Sequence, residues 1–307
     1  MTGAGGASPR LAQMQPSHGG MAGARRGTFW ALLVPVVVFL GVFLIVPLVM
    51  MAALSTRADL SGPLLAPWTP TLTHYVALAE TPTYVRLLLI SAGIAVLVAA
   101  LTTLLAYPLA YFLAIRAGRR AAVLLILLLV PFWTSYLLRV MAWKLMLGEE
   151  GVINSVLLGT GLVAHPLEAL LYSRFAVTVT LTYVWIPFAA LPMVAALQRV
   201  HPAVLDAAAD LYATPSQQFQ HVTLPLSMPG VIAAFFLVFI PTVGEYVTPL
   251  MVGGTGGTMY GNVIQDFFTK AANWPFGSML SIVMLVATLA VAVLALRAVD
   301  VRRFVEP

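Results

Sequence analysis

Twenty-six consecutive residues, 29–54, carry no charge. Five more apolar runs follow: 87–115; 121–138, which continues past Arg139 towards Trp143; 175–198; 229–252; and 276–296. A bilayer core of about 30 Å takes about 20 helical residues. Backbone groups in lipid must be satisfied within helices or a closed barrel. These runs are continuous rather than alternating in polarity, so helices are predicted, and the chain reads as an all-α membrane protein with six transmembrane helices. Composition agrees: 61% of the 307 residues are hydrophobic, 9% are charged, and mean hydropathy is +0.96. A soluble domain is nearer half apolar and a quarter charged, so this chain cannot cover itself with polar surface.

Several function classes fall away on composition. With no cysteine there are no disulfides, thiolate metal sites or thiol nucleophiles. The five histidines are scattered without metal-ligand spacing, so no metal site is predicted. The net charge of +5 forms no basic stripe interleaved with aromatics, which speaks against nucleic acid. Residues 1–28 are rich in Gly, Ala, Ser and Pro and read as a disordered tail, followed by a membrane domain over 29–298 and a short tail over 299–307. Arg25 and Arg26 before an apolar run imitate a secretory or twin-arginine signal, but run 29–54 far exceeds a signal's apolar region. It is read as an uncleaved first span.

Orientation follows from Lys and Arg near the helix ends. With the N-terminus inside, ten of the sixteen basic residues fall inside, among them Arg116, Arg119, Arg120, Arg199 and Arg297, and six fall outside: Arg57, Arg86, Arg139, Lys144, Arg174 and Lys270. Acids divide four inside to seven outside. Both termini are therefore predicted to be cytoplasmic. The outer segments 55–83 and 148–174 are long enough for short helices on the membrane surface, and Trp68, Tyr75, Tyr84, Trp143, Tyr172 and Trp274 supply interfacial aromatics. No internal repeat is evident.

One cytoplasmic segment is conspicuously polar. Residues 206–230, DAAADLYATPSQQFQHVTLPLSMPG, lie between the fourth and fifth runs. Pro202 opens a helix-compatible stretch in which Asp206 and Asp210, four apart, share a face beside the small Ala207 and Ala208. Thr214 then Pro215 is a helix-start signal. A second short helix, SQQFQHV, is predicted to end before Pro225, with Pro229 and Gly230 opening the next span. Two short helices joined by a turn make a compact knob, a surface for docking another protein.

The stretch resembles the EAA loop of binding-protein-dependent ABC importer permeases. Asp206, Ala207 and Ala208 stand at the E-A-A positions, the acid conservatively, and Phe219, Leu224, Pro225, Pro229 and Gly230 also match. PFWTSYLLRVMAWKLMLGEEGVIN at 131–154, LYSRFAVTVTLTYVWIPFAALPM at 171–193 and FIPTVGEYVTPLMVGG at 239–254 resemble the spermidine/putrescine permease branch. Branches carrying ferric iron, thiamine or opine-like solutes share much of this pattern. The resemblance spans about residues 30–296 and implies a type I ABC importer permease of the inner membrane, with a coupling-helix loop at 199–228 that sits in a groove of the ATP-binding subunit. It further implies a pair of such subunits using ATP-Mg, a second permease subunit and a periplasmic solute-binding protein. The coupling residues would be Asp206, Ala207, Ala208, Asp210, Tyr212, Phe219 and Pro225. Tyr212 departs from the family, which has glycine there to form a left-handed helix cap. Either Tyr212 bears roughly 1 kcal/mol of conformational cost or the first helix ends differently.

An ionisable residue inside a span is a functional candidate by default. Glu245 lies in a run interrupted by Pro241, Gly244 and Pro249, where broken backbone can line a cavity. Its carboxylate suits a cationic solute; a structural ion pair with Arg139 or Lys144 is the competing reading. Trp133, Tyr136 and Trp143 offer π faces to an ammonium group, or serve as packing and interface anchors. Asp266 is a further acidic candidate on the outer side. The glycine-rich VGGTGGTMYGN at 252–262 is no phosphate loop, because the two lysines, Lys144 and Lys270, stand in no GK[ST] motif. No cofactor is expected on this chain. A self-contained secondary transporter or a membrane enzyme would need a repeat, more intramembrane ionisable groups, or a catalytic set that the sequence lacks.

Overall fold

The computed structural model describes residues 19–58 and 69–298. The remainder of the expected tails lies outside the described residues, as does Trp68. Helix α1 (Gly19–Ser55) begins ten residues before the apolar run, so residues 19–28 of the predicted tail are helical. Ala, Met and Arg are good helix formers, and extending a helix already established in the apolar run needs no new nucleus.

From Leu54 onward the chain forms a second compact unit. Its short helices are α2 (Thr73–Glu80), α5 (Tyr136–Leu147), α6 (Val152–Gly159), α8 (Pro202–Asp210), α9 (Pro215–Gln218) and α11 (Tyr260–Thr269). Its long helices are α3 (Pro82–Tyr111), α7 (Arg174–Leu197), α10 (Leu224–Val243) and α12 (Trp274–Ala298), and α4 (Ala121–Leu129) completes the set. The core is the mutual packing of α3, α7 and α10. Lipid provides little hydrophobic drive between helices, so close approach of small residues takes its place. Ala95, Ala99, Ala106, Ala110, Ala189, Ala190 and Ala234 are fully buried there. At the α7–α10 crossing, a Cβ on Gly230 would lie 2.5 Å from Ala196 Cβ and 2.6 Å from the Pro192 carbonyl oxygen, so only glycine fits. A second cluster joins Tyr260, Phe276, Met279 and Leu280 to Tyr84 and Phe267.

Among the described residues, five helices are long and apolar enough to cross a membrane, and a bent pair makes six if counted as one span. That pair, Gly118–Trp133 and Tyr136–Gly159, replaces the continuous third span predicted for 121–138 and bends by 84°. Pro131 lies in a tight 3₁₀ turn over Val130–Trp133, and Thr134 then turns extended (ψ 152°) before α5 restarts. Proline cannot donate to the preceding turn, and the chain uses that gap to change direction.

The fifth span departs from expectation in the opposite sense. The short helix predicted to stop before Pro225 does not stop. The stretch Pro215–Val243 is helical for 29 residues through Pro225 and Pro229. Immediately before Pro225 the helix widens to a π turn over Phe219–Thr223. Widening moves the upstream carbonyls off the proline ring and removes the need for its missing N–H.

Candidate functional site

The knob is built from caps. His201 closes the start of α8, its Nδ1 accepting from the Ala203 N–H at 3.2 Å, with Pro202 in the first helical position. α8 ends in a Schellman turn: the Ala213 N–H donates to the Ala208 carbonyl (3.1 Å) and the Tyr212 N–H to that of Ala209 (2.8 Å). Tyr212 has φ +59°, so it adopts the left-handed conformation expected of the family's glycine and bears its cost, roughly 1 kcal/mol. Next, Thr214 and Gln217 form a reciprocal capping box at the start of α9. The Gln218 side-chain amide bonds back to the Ala213 carbonyl at 3.1 Å.

These bonds leave a defined outer surface. Asp206, Ala207 and Asp210 are exposed, Ala208 is half-buried, and the acids have no ion-pair partner among the described residues. Leu211 and Tyr212 stand out further, 82% and 95% exposed. The sequence does not single out Leu211; its signal is a large apolar side chain just past a helix end, beside Tyr212. Phe219 faces the other way, edge-on to Tyr107 and Tyr111 at 5.8 and 5.9 Å between ring centroids. It ties the knob to α3, as does the Tyr107–Ser227 hydroxyl bond of 2.8 Å from the first turn of α10. Pro225 is partly buried beyond the π turn and takes no part in the exposed surface.

At the far end of the same helix lies the break anticipated at Gly244–Glu245. Backbone α-helix stops at Val243 and resumes over Val247–Gly253, largely as a π turn. Glu245 makes no ion pair with Arg139 or Lys144. Its Oε1 instead accepts from the N–H groups of Val247 (2.8 Å) and Thr248 (3.1 Å), capping the resumed helix. A carboxylate at a helix N-terminus is favoured by the unpaired N–H groups there. The start of α11 braces the break. Asn262 donates to the Tyr246 carbonyl at 2.8 Å, and a Cβ on Gly261 would fall 2.6 Å from the Gly244 oxygen and 2.8 Å from that of Glu245.

Of the aromatic candidates, the structure links Tyr136 to Glu245 through Thr248: its hydroxyl bonds Thr248 Oγ1, and the Thr248 N–H donates to the carboxylate. Arg139, one turn along α5, sets its guanidinium 4.3 Å from the Phe132 ring centroid and 5.8 Å from that of Tyr136. Trp143, two turns from Tyr136, packs against Tyr183 at 5.5 Å. Trp133 is 82% exposed at the bend, and Asp266 pairs with Lys270 at 2.8 Å, so neither joins the Glu245 group. Phe132 and Thr248 are the members that the sequence did not single out. Among the described residues no group of His, Asp and Glu is arranged to hold a metal.

A multi-pass helical chain with a capped polar knob at one end of a long helix and a carboxylate-bearing break at the other is built as a membrane transport subunit. No protein-family model matches the sequence. The chain is 34% identical over 255 residues to the spermidine/putrescine transport system permease protein PotB of Escherichia coli, covering 82% of this chain and 91% of that one. It is 35% identical over 201 residues to PotB of Haemophilus influenzae (66% and 70% covered), and 33% identical over 205 residues to the inner membrane ABC transporter permease protein YdcU of E. coli (62% and 64% covered). In fold it matches a chain of a bacterial ABC transporter involved in alginate import, at a TM-score of 0.69 and 17% identity over 93% of this chain and 99% of that one. The chain belongs to the family of ABC importer permeases that contains the spermidine/putrescine transport system permeases. It is a multi-pass inner-membrane permease.

Proposed function

We propose that this chain forms one half of the membrane path of an ATP-driven importer for a small polycation such as spermidine or putrescine. The observation that carries the coupling half of this reading is the continuous helix Pro215–Val243, which joins the exposed knob to the Glu245 break. At 1.5 Å per residue its 29 residues reach about 43 Å, more than the hydrocarbon core. A partner that grips Asp206, Ala207 and Asp210 would act on Glu245 through a rigid element.

In this reading a pair of ATP-binding subunits on the cytoplasmic side binds and hydrolyses ATP-Mg, and this chain does not. A second, non-identical permease subunit supplies the other half of the path. A periplasmic binding protein delivers the solute on the opposite face, where Asp266 and Lys270 stand. Both termini are cytoplasmic, following the arginine distribution. At the break, Glu245 Oε1 is held by two N–H groups, fixing the carboxylate for an ammonium group, while the Phe132 and Tyr136 rings nearby are engaged by the Arg139 guanidinium.

Co-purification tests the assignment. The chain co-expressed with its cognate ATP-binding subunit is expected to yield a stable complex, and Asp206→Arg to weaken it at least tenfold. A chain that purifies alone and moves solute across proteoliposomes without ATP would overturn it. Competition among spermidine, putrescine, thiamine, ferric iron and an opine for uptake identifies the solute.

A further inference from the structure

The apex of the knob combines two features that are each unfavourable in water. Tyr212 holds a left-handed backbone conformation (φ +59°), which the Schellman bonds of Ala213 and Tyr212 enforce. Its side chain is 95% exposed, and among the described residues it makes no hydrogen bond or ring contact. Leu211 beside it is 82% exposed. At that exposure neither α8 nor α9 shelters the ring. Tyr172 and Ala272 share the left-handed conformation, so the strain alone does not single out Tyr212; its pairing with exposed large apolar groups at the tip of the knob is what marks a contact surface.

Resting on the coupling reading above, we propose that Leu211 and Tyr212 are the apolar anchor of the docking knob and determine which ATP-binding subunit it accepts. The matching surface on that subunit is an apolar socket deep enough for a tyrosine ring. Its rim carries Lys or Arg opposite Asp206 and Asp210, which share one exposed face of α8 and have no cation of their own among the described residues. Aromatic residues are favoured as such anchors because they bury a large area with few rotatable bonds. A subunit shaped for a glycine-bearing loop has no room for the ring at this point and is rejected by steric exclusion.

The strain makes the test decisive, because glycine acts on folding and on docking with opposite signs. Affinity of the purified detergent-solubilised permease for the ATP-binding subunit is measured alongside the melting temperature of the permease alone. Tyr212→Gly is expected to keep or raise the melting temperature while weakening the complex at least tenfold. Tyr212→Phe should stay within about threefold of the parent, and Leu211→Ala should weaken the complex without unfolding the permease. If the parent binds and Asp206→Arg weakens it, yet Tyr212→Gly binds as tightly as the parent, the anchor is refuted and the coupling reading stands. If the parent does not bind at all, both fall.

Discussion

The two ends of the helix Pro215–Val243 handle their free backbone groups in opposite ways. At the knob end, every cap comes from within the loop: the Thr214–Gln217 box, the Schellman turn and the Gln218 amide satisfy the backbone, and the carboxylates of Asp206 and Asp210 are left facing outward. At the break, the carboxylate is itself the cap, since Glu245 Oε1 takes two N–H groups. A charge not needed for local structure is available to a partner protein. A charge already committed to backbone is held in place. In the proposed reading the difference separates a docking surface on α8 from a positioned binding group at the far end of the long helix that follows it.

Substitutions that disturb only one end sharpen this contrast. The largest effect is expected from Gly261→Val, which drives side-chain carbon into the Gly244 and Glu245 carbonyls. Overpacking of this kind costs about 1–3 kcal/mol, and here it falls on the break, so uptake should be lost with the ATP-binding subunit still bound; a pull-down and an uptake assay on one preparation decide it. Glu245→Gln comes next. Glutamine keeps an acceptor oxygen for Val247 and Thr248, so assembly and melting temperature should hold while polyamine uptake falls about tenfold. Unchanged uptake would remove Glu245 from the solute path. The smallest effect is at the knob: Thr214→Ala deletes half the capping box and should lower stability by about 1 kcal/mol, visible as a modest drop in melting temperature with uptake reduced less than in Glu245→Gln.

The long uncharged runs made the membrane class legible, and Thr214–Pro215 correctly announced a helix start. The interruption at Gly244–Glu245 was also readable, because glycine, proline and an acid rarely share a lipid-spanning run. Prolines misled in both directions. Pro225 read as a stop and Pro229 as the opening of a new span, yet the π turn over Phe219–Thr223 carries one helix past both. Pro131 lay inside an apolar run and gave no warning of the 84° bend that follows. A proline's outcome depends on whether the preceding turn can widen, which is set by packing such as Phe219 against Tyr107 and Tyr111. The partner of Glu245 was hidden for a related reason. Arg139 and Lys144 were plausible counter-ions by position, but their cations settle over Phe132 and Tyr172, and backbone N–H groups, invisible in a sequence, take the carboxylate. The left-handed turn at Tyr212 was foreseeable only through the family's glycine.

One experiment reaches both ends at once: spermidine uptake and ATP hydrolysis measured together in proteoliposomes holding both permease subunits, the ATP-binding pair and saturating binding protein. Asp206→Arg should lower hydrolysis and uptake in parallel, whereas Glu245→Gln should lower uptake and leave hydrolysis largely intact. Parallel loss in Glu245→Gln, or solute-stimulated hydrolysis undiminished in Asp206→Arg, would contradict a division of labour between the knob and the break.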